Sequence, residues 1–212
     1  MSLLIATPMY GGNCTAAYFR SAMTLKDAFR DRNFPHDWLE TTNESLITRA
    51  RDTSAARFLQ GDWSRLFFID ADIQFEPEQV ATLWNMDCDV AVGCYPRKEL
   101  KAEYAAWVSG RLLRAHELDK IRQPFPVDYA GTGFMMIKRR VFEILQARHP
   151  EWKYEEGHVG ECWAFFQDPI EDGIHLSEDF FFCKRVREAG MQVLMHPKVR
   201  LKHIGCHAFD GT

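Results

Sequence analysis

The chain has 212 residues, 46% of them hydrophobic and 26% charged, with a formal net charge of -4. That length suits one domain with core enough for a single helix-covered sheet, and the mild acidity excludes a polyanion such as nucleic acid as the main partner, because backbone-phosphate binding needs a concentrated basic face. No apolar run approaches the ~20 residues that cross a bilayer and no cationic prefix precedes the short apolar segment at 3–6, so neither a membrane span nor a signal peptide is expected.

Six scattered cysteines form no Cys-x-x-Cys pair, which reads as reduced thiols in a cytoplasmic protein. Residues 2–7 make a first strand, broken by Pro8 and the Gly11-Gly12 turn. A helix over 16–30 follows, with Tyr18, Ala22, Leu25 and Phe29 on one face. Residues 37–41 form a second strand, and Asn43 or Ser45 caps a helix that runs to Leu59 and ends at Gly61. A strand over 65–70, a helix opened by Pro77 and a strand over 88–93 complete a series of alternating strands and helices. The series predicts an α/β chain with a mainly parallel central sheet flanked by helices. Beyond Tyr95-Pro96 the pattern changes to short strands at 103–108, 126–129 and 134–138 and a helix near 139–147. Residues 149–173 read as a long irregular segment rich in aromatics. A helix opened by Ser177, a strand over 192–195 and an extended piece over 199–204 close the chain. One domain is expected over 1–212, with a nucleotide-type half up to about residue 100 and a variable substrate half after it.

Within this frame the run Phe67-Phe68-Ile69-Asp70-Ala71-Asp72 is the most informative. A buried strand delivers two carboxylates to its own carboxyl end, where ligands of open α/β sheets sit. Like charges so close repel unless a cation or donor network offsets them, and an all-oxygen pair suits a hard divalent ion such as Mg²⁺ or Mn²⁺. The same acids also suit a strand-to-turn Asp and a helix cap ahead of Pro77; the strand context favours the metal. Arg49 and Arg51 lie in the first turns of the second helix, where a helix end favours anions, so a phosphate there would give both guanidiniums a partner. Of the two, Arg49 is the expected ligand contact; surface arginines beside Asp52 are the alternative. Gly131-Thr132-Gly133 permits close backbone approach to a ligand, or a bulge. Glu178 and Asp179 follow Ser177 in a first helical turn, which the helix dipole alone favours, and either could also take a proton from an acceptor hydroxyl. Asp168 competes for that role. His203 ends the last extended segment, with His196 and His207 as alternatives. Trp163, Phe165 and Phe166, in a stretch without helix or strand period, read as an exposed acceptor platform or as rings that pin the loop.

Thr7-Pro8-Met9-Tyr10, Asp70-Ala71-Asp72, Gly131-Thr132-Gly133, Glu178-Asp179 and His203, in this order, resemble the GT-A-fold nucleotide-sugar glycosyltransferases. Residues 43–51 and 67–77 look closest to small viral and bacterial members, with a more distant likeness to Anp1-type mannosyltransferases. The resemblance implies a Rossmann-like GT-A fold and transfer of a sugar, of the hexosyl class, from a nucleoside diphosphate sugar to a glycan or other hydroxyl acceptor, with a UDP-sugar favoured. It implies that Thr7, Pro8 and Tyr10 cup the nucleoside and that Arg49 faces the pyrophosphate. Asp70 would meet the ribose or metal-bound water, Asp72 would ligate Mn²⁺ or Mg²⁺, and His203 would complete the metal shell. Gly131 and Gly133 would lie beside the donor sugar, and Glu178 and Asp179 beside the acceptor. Two other readings of the residues are a nucleotide-sugar-binding module without turnover and a haloacid-dehalogenase-like phosphohydrolase. The latter expects its Asp pair on an early first strand with Thr or Val soon after, whereas Ile73-Gln74 follow here on the third.

Overall fold

A computed structural model of the chain describes residues 1–99, 103–205 and 208–210. The first half runs β1 (Leu3–Met9), α1 (Ala16–Asp31), β2 (His36–Thr42), α2 (Ile47–Gln60), β3 (Arg65–Ile69), β4 (Ile73–Gln74), α3 (Pro77–Trp84) and β5 (Val90–Cys94). The middle carries β6 (Glu103–Val108), β7 (Arg111–Arg114), the single turn α4 (Ala115–Leu118), β8 (Phe125–Pro126), β9 (Tyr129–Ala130), β10 (Phe134–Lys138) and α5 (Arg139–Arg148). The last part holds β11 (Lys153–Glu156), β12 (Gly160–Trp163), β13 (Ile170–Glu171), β14 (Ile174–His175), α6 (Glu178–Glu188), β15 (Val193–Arg200), β16 (Lys202–Ile204) and β17 (Ala208–Phe209). Among the described residues no helix is long and apolar enough to cross a membrane.

Seven strands form the central sheet in the order β2-β1-β3-β10-β5-β15-β8. The sheet is mixed. β1 is parallel to β2 and β3, and β15 is parallel to β5, while β10 runs antiparallel between β3 and β5. Strand alternation divides the core between the two faces, since neighbouring residues point opposite ways. Leu4, Ala6, Leu66, Phe68, Val90, Val92, Met135 and Ile137 pack on one face with Ala55, Phe58, Phe142 and Phe182 of α2, α5 and α6. Leu3, Ile5, Phe67, Ile69, Ala91, Phe134 and Met136 pack on the other with Tyr18, Leu25, Val80 and Leu83 of α1 and α3. Both faces are therefore apolar and helix-covered, as the unalternating strand compositions predict.

Three local expectations are corrected. α2 begins at Ile47 rather than near Ser45, with Leu46 as an N-cap lacking a side-chain bond; Glu44 Oε1 instead accepts the Leu46 N–H at 2.9 Å. Residues 126–129 split between β8 and β9, which join different sheets. The stretch 149–173 is not irregular throughout: β11 and β12 form a hairpin against α2. Val159 and Cys162 seat it on Ala56 of α2, with Tyr154 packed against them.

Candidate active site

Sheet topology assembles the site from distant segments. At the end of β3 the Asp70 N–H donates to Gly133 O at 3.0 Å, because β10 lies antiparallel beside it. β4 then pairs with β16, with Ile73 opposite His203, and the Ile204 N–H donates to Asp72 O at 2.8 Å. His203 Nε2 thereby comes to 3.4 Å from Asp72 Oδ1. His203 Nδ1 is 3.0 Å from Pro96 O, and a carbonyl only accepts, so Nδ1 carries a proton and Nε2 is the ring atom turned toward the carboxylate. Asp72 Oδ1 is buried and has no hydrogen-bond partner among the described residues. A metal ion or a proton between Asp72 Oδ1 and His203 Nε2 would satisfy both atoms. The other carboxylate oxygen, Oδ2, receives Lys98 Nζ at 2.5 Å. Burial pushes the Asp72 carboxyl up, but His203 and Lys98 outweigh it and hold it below the usual carboxylate range.

A divalent ion fits this donor set. One hard oxygen and one imidazole nitrogen face each other, the histidine held by a backbone carbonyl as metal-bound histidines usually are. Among the described residues, Asp70 and Glu178 pair with Arg51 and Asp72 pairs with Lys98, while Asp179 shares the smaller depression with Arg97. Among the described residues no cluster of three or more His, Cys, Asp or Glu stands ready for a metal.

Arg51, not Arg49, reaches Asp70. Its side chain is 3% exposed and lies over Phe68, with Nη2 3.1 Å from Asp70 Oδ1 and Nε 3.5 Å from Glu178 Oε1. Burial works against its charge, and Asp70 and Glu178 outweigh that. Arg49 is spent on Glu44, with Nε–Oε2 at 2.6 Å and Nη2–Oε1 at 2.9 Å.

Two depressions flank the aspartates. One, of about 490 Å³, is lined by Pro8, Tyr10, Thr15, Ile47, Asp70 and Asp72 among others, and the Tyr10 ring is 77% exposed there. Thr7 does not face it: it is wholly buried, and its hydroxyl is engaged by Tyr18 Oη at 2.7 Å and Trp38 Nε1 at 3.2 Å. The other, of about 300 Å³, is lined by Arg97, Ala105, Trp107, Leu112, Gly131, Asp179 and Phe180. Asp179 Oδ1 accepts from Ser177 Oγ and from Phe180 N–H. Burial first, and Glu178 second, push its carboxyl up to about 6.

Gly131 lines the smaller depression, and Gly133 lies beside Asp70. A Cβ on Gly131 would collide with the Tyr95 hydroxyl, and one on Gly133 would lie 2.9 Å from Asp70 Oδ2. The Tyr95 hydroxyl accepts the Gly133 N–H at 3.0 Å.

The aromatic platform is corrected. Phe165 and Phe166 are fully buried core residues and Trp163 is half-buried, with Lys153 Nζ 5.3 Å from its ring centroid. Asp168 lines a separate depression with Arg49 and Tyr154. His196 accepts a hydrogen bond from Lys198 N–H at 3.3 Å and has no contact with Asp72; His207 lies outside the described residues. Lys98, Tyr95, Trp107 and Phe180 were not singled out in the sequence. Arg97-Lys98 follow a buried parallel strand, so the carboxyl-end rule applied to Asp70 and Asp72 would also have marked them.

No protein-family model and no curated protein sequence matches the chain. Solved structures do. A197 from STIV superposes with a TM-score of 0.59 at 18% identity, over 97% of this chain and 86% of that one. GalNAc-T7, solved with UDP, GalNAc and Mn²⁺, gives 0.54 at 14% identity over 99% of this chain and 44% of its own. The catalytic domain of Drosophila β1,4-galactosyltransferase 7 in complex with xylobiose gives 0.50 at 10% identity, over 96% and 71%. At these identities the likeness establishes architecture, and the chain has the α/β fold of the GT-A glycosyltransferases.

Proposed function

We propose that the chain is a metal-dependent glycosyltransferase that moves a hexosyl group from a nucleoside diphosphate sugar, a UDP-sugar favoured, to an acceptor hydroxyl. The observation that carries this reading is the convergence of Asp72 Oδ1 and His203 Nε2, 3.4 Å apart, beside the larger depression. A divalent ion held by Asp72 and His203, Mn²⁺ in preference to Mg²⁺ given the imidazole, would offset the charge that grows on the diphosphate as the glycosyl bond breaks. Pro8 and Tyr10 line the larger depression and are assigned to the nucleoside. Asp70, aimed by Arg51, is assigned to the ribose or to the water shell of the ion. Gly131, on the smaller depression, and Gly133, packed beside Asp70, are assigned to the neighbourhood of the donor sugar. On the smaller depression, Trp107 and Phe180 offer ring faces for a sugar acceptor and Asp179 takes the proton from its hydroxyl. Glu178 faces Arg51 and holds the charge balance. In this reading the nucleotide half ends near residue 100, and the later half supplies the acceptor side and His203.

Calorimetry of UDP with and without Mn²⁺ tests the proposal. Parent protein is expected to bind UDP more tightly with Mn²⁺, and Asp72→Asn to lose that gain while still unfolding cooperatively. Unchanged Mn²⁺-dependent binding in Asp72→Asn overturns the assignment.

A further inference from the structure

We infer that Lys98 makes ion binding at Asp72 conditional on a diphosphate, disfavouring the ion alone and favouring ion and diphosphate together. The inference rests on the metal reading of Asp72 and His203. The two oxygens of Asp72 have different neighbours: Oδ2 takes Lys98 Nζ at 2.5 Å, while Oδ1 faces His203 Nε2 at 3.4 Å. An ion drawn to Oδ1 and Nε2 therefore need not dislodge Lys98. The lysine stem is supported where it lies, since a Cβ on Gly205 would come within 3.4 Å of Lys98 Cδ. Pro96, two residues earlier, holds His203 by its carbonyl, and the intervening Arg97 N–H is tied to Glu103 O at 2.9 Å. One short stretch after β5 thus sets both the histidine and the ammonium around the same carboxylate.

With the ion present, charges of +2 and +1 share one carboxylate. Asp72 and Lys98 are only partly exposed, so solvent screening is incomplete. Repulsion between the two cations lowers the affinity for the ion alone by about tenfold or more. A diphosphate carries enough negative charge to meet both cations, so the same repulsion becomes shared attraction once it binds. Lys98 in this way couples two binding events and acts as a specificity-determining residue. A lysine that merely braced the loop would have the opposite signature, because its loss would loosen the stretch that orients His203 and weaken the ion.

The test uses Mn²⁺ alone, inorganic pyrophosphate alone, and the two together, titrated into parent, Lys98→Met and Lys98→Arg. Methionine keeps most of the stem against Gly205, and melting temperatures report whether each variant folds. Lys98→Met is expected to bind Mn²⁺ alone about tenfold more tightly, and the gain in pyrophosphate affinity that Mn²⁺ brings should shrink by a similar factor. Lys98→Arg should behave as the parent. An unchanged or weaker affinity of Lys98→Met for Mn²⁺, or an undiminished gain, overturns the inference while leaving the metal site standing. No Mn²⁺ binding by any of the proteins, with or without pyrophosphate, overturns both.

Discussion

Arg51 sits on the α2 face that carries Ala50, Ser54, Ala55 and Phe58, all buried. Its spacing from Ser54, Ala55 and Phe58 is the three, four and seven of a helical core stripe. That periodicity was available in the sequence and separates Arg51 from Arg49. The reading from charge and helix end alone favoured Arg49, because proximity to a helix start does not say which way a side chain points. Arg51→Met is expected to destabilise the fold toward the lower end of the ~3–5 kcal/mol typical of a broken buried ion pair, since Asp70 keeps some access to water. Arg51→Lys should weaken Mn²⁺-dependent UDP binding at least about tenfold through loss of the planar fork that reaches Asp70 and Glu178 together. Arg49→Lys should leave it almost unchanged, and equal effects of the two lysine variants would contradict the assignment. The Gly131–Tyr95 contact gives a second residue-level prediction. Gly131→Ala should lower the melting temperature sharply, because its Cβ meets the Tyr95 hydroxyl. Adding Tyr95→Phe removes that oxygen, although it also strips the Gly133 N–H of its acceptor. The double variant should therefore be less destabilised than the sum of the singles, a coupling that a thermodynamic cycle reads directly.

At the scale of elements, the hairpin of β11 and β12 and the loop after it form a brace against α2. Asp52, buried on α2, accepts the Phe166 N–H at 2.9 Å, and Arg57 and Gln60 of the same helix donate to His158 O and Val159 O. The rings that looked free for an acceptor are the ones this brace delivers to the core: Phe166 stacks on Phe182 at 4.6 Å and Phe165 meets Phe142 at 5.0 Å. Nothing in the local pattern of residues 157–172 announces this, since burial of an unpatterned loop is decided by the sheet and helices it lies against. Phe165→Ala and Phe166→Ala should each cost ~3–5 kcal/mol in denaturant unfolding, and half-buried Trp163→Ala distinctly less. Asp52 adds a pH signature. Burial raises its carboxyl well above the ordinary range, so the folded state holds the proton more tightly than the unfolded chain. Its contribution is intact below the unfolded value and is lost as pH rises through the folded one. Asp52→Asn keeps an oxygen for the Phe166 N–H and removes that ionisation. Relative to parent, its melting temperature should gain progressively as pH rises; parallel curves would show that Asp52 stays ionised in the folded state.

For the whole molecule, the alternation of strands and helices made the α/β class legible, and the order of short motifs from Thr7 to His203 made the GT-A likeness legible. The insertion of β10 between β3 and β5 was not, because an antiparallel strand entering a parallel series leaves no mark in its own residues. That insertion matters most for function, since it sets Gly133 beside Asp70, while β9 carries Gly131 toward Asp179. In the proposed reading Gly133 thus lies on the donor side, beside Asp70, and Gly131 on the acceptor side. Transfer should then depend on one ionisation at the acceptor side that leaves donor binding untouched. Asp179 is pushed up to about 6, chiefly by burial and then by Glu178. A carboxyl that must be ionised to take a proton becomes competent as pH rises through that value, so transfer should rise along a limb centred near it. The same shift costs stability, because the folded state binds a proton that the unfolded chain releases at about 4. Melting temperature should thus fall over the interval in which activity climbs. Asp179→Asn is expected to lower kcat for transfer by roughly 10²–10⁴ and to abolish the limb, while Mn²⁺-dependent UDP binding and slow donor hydrolysis persist. Glu178→Gln removes the neighbouring charge that helps raise Asp179, so its limb should move to lower pH without disappearing. A limb that survives in Asp179→Asn, or one that Glu178→Gln leaves in place, would mean that another group takes the acceptor proton.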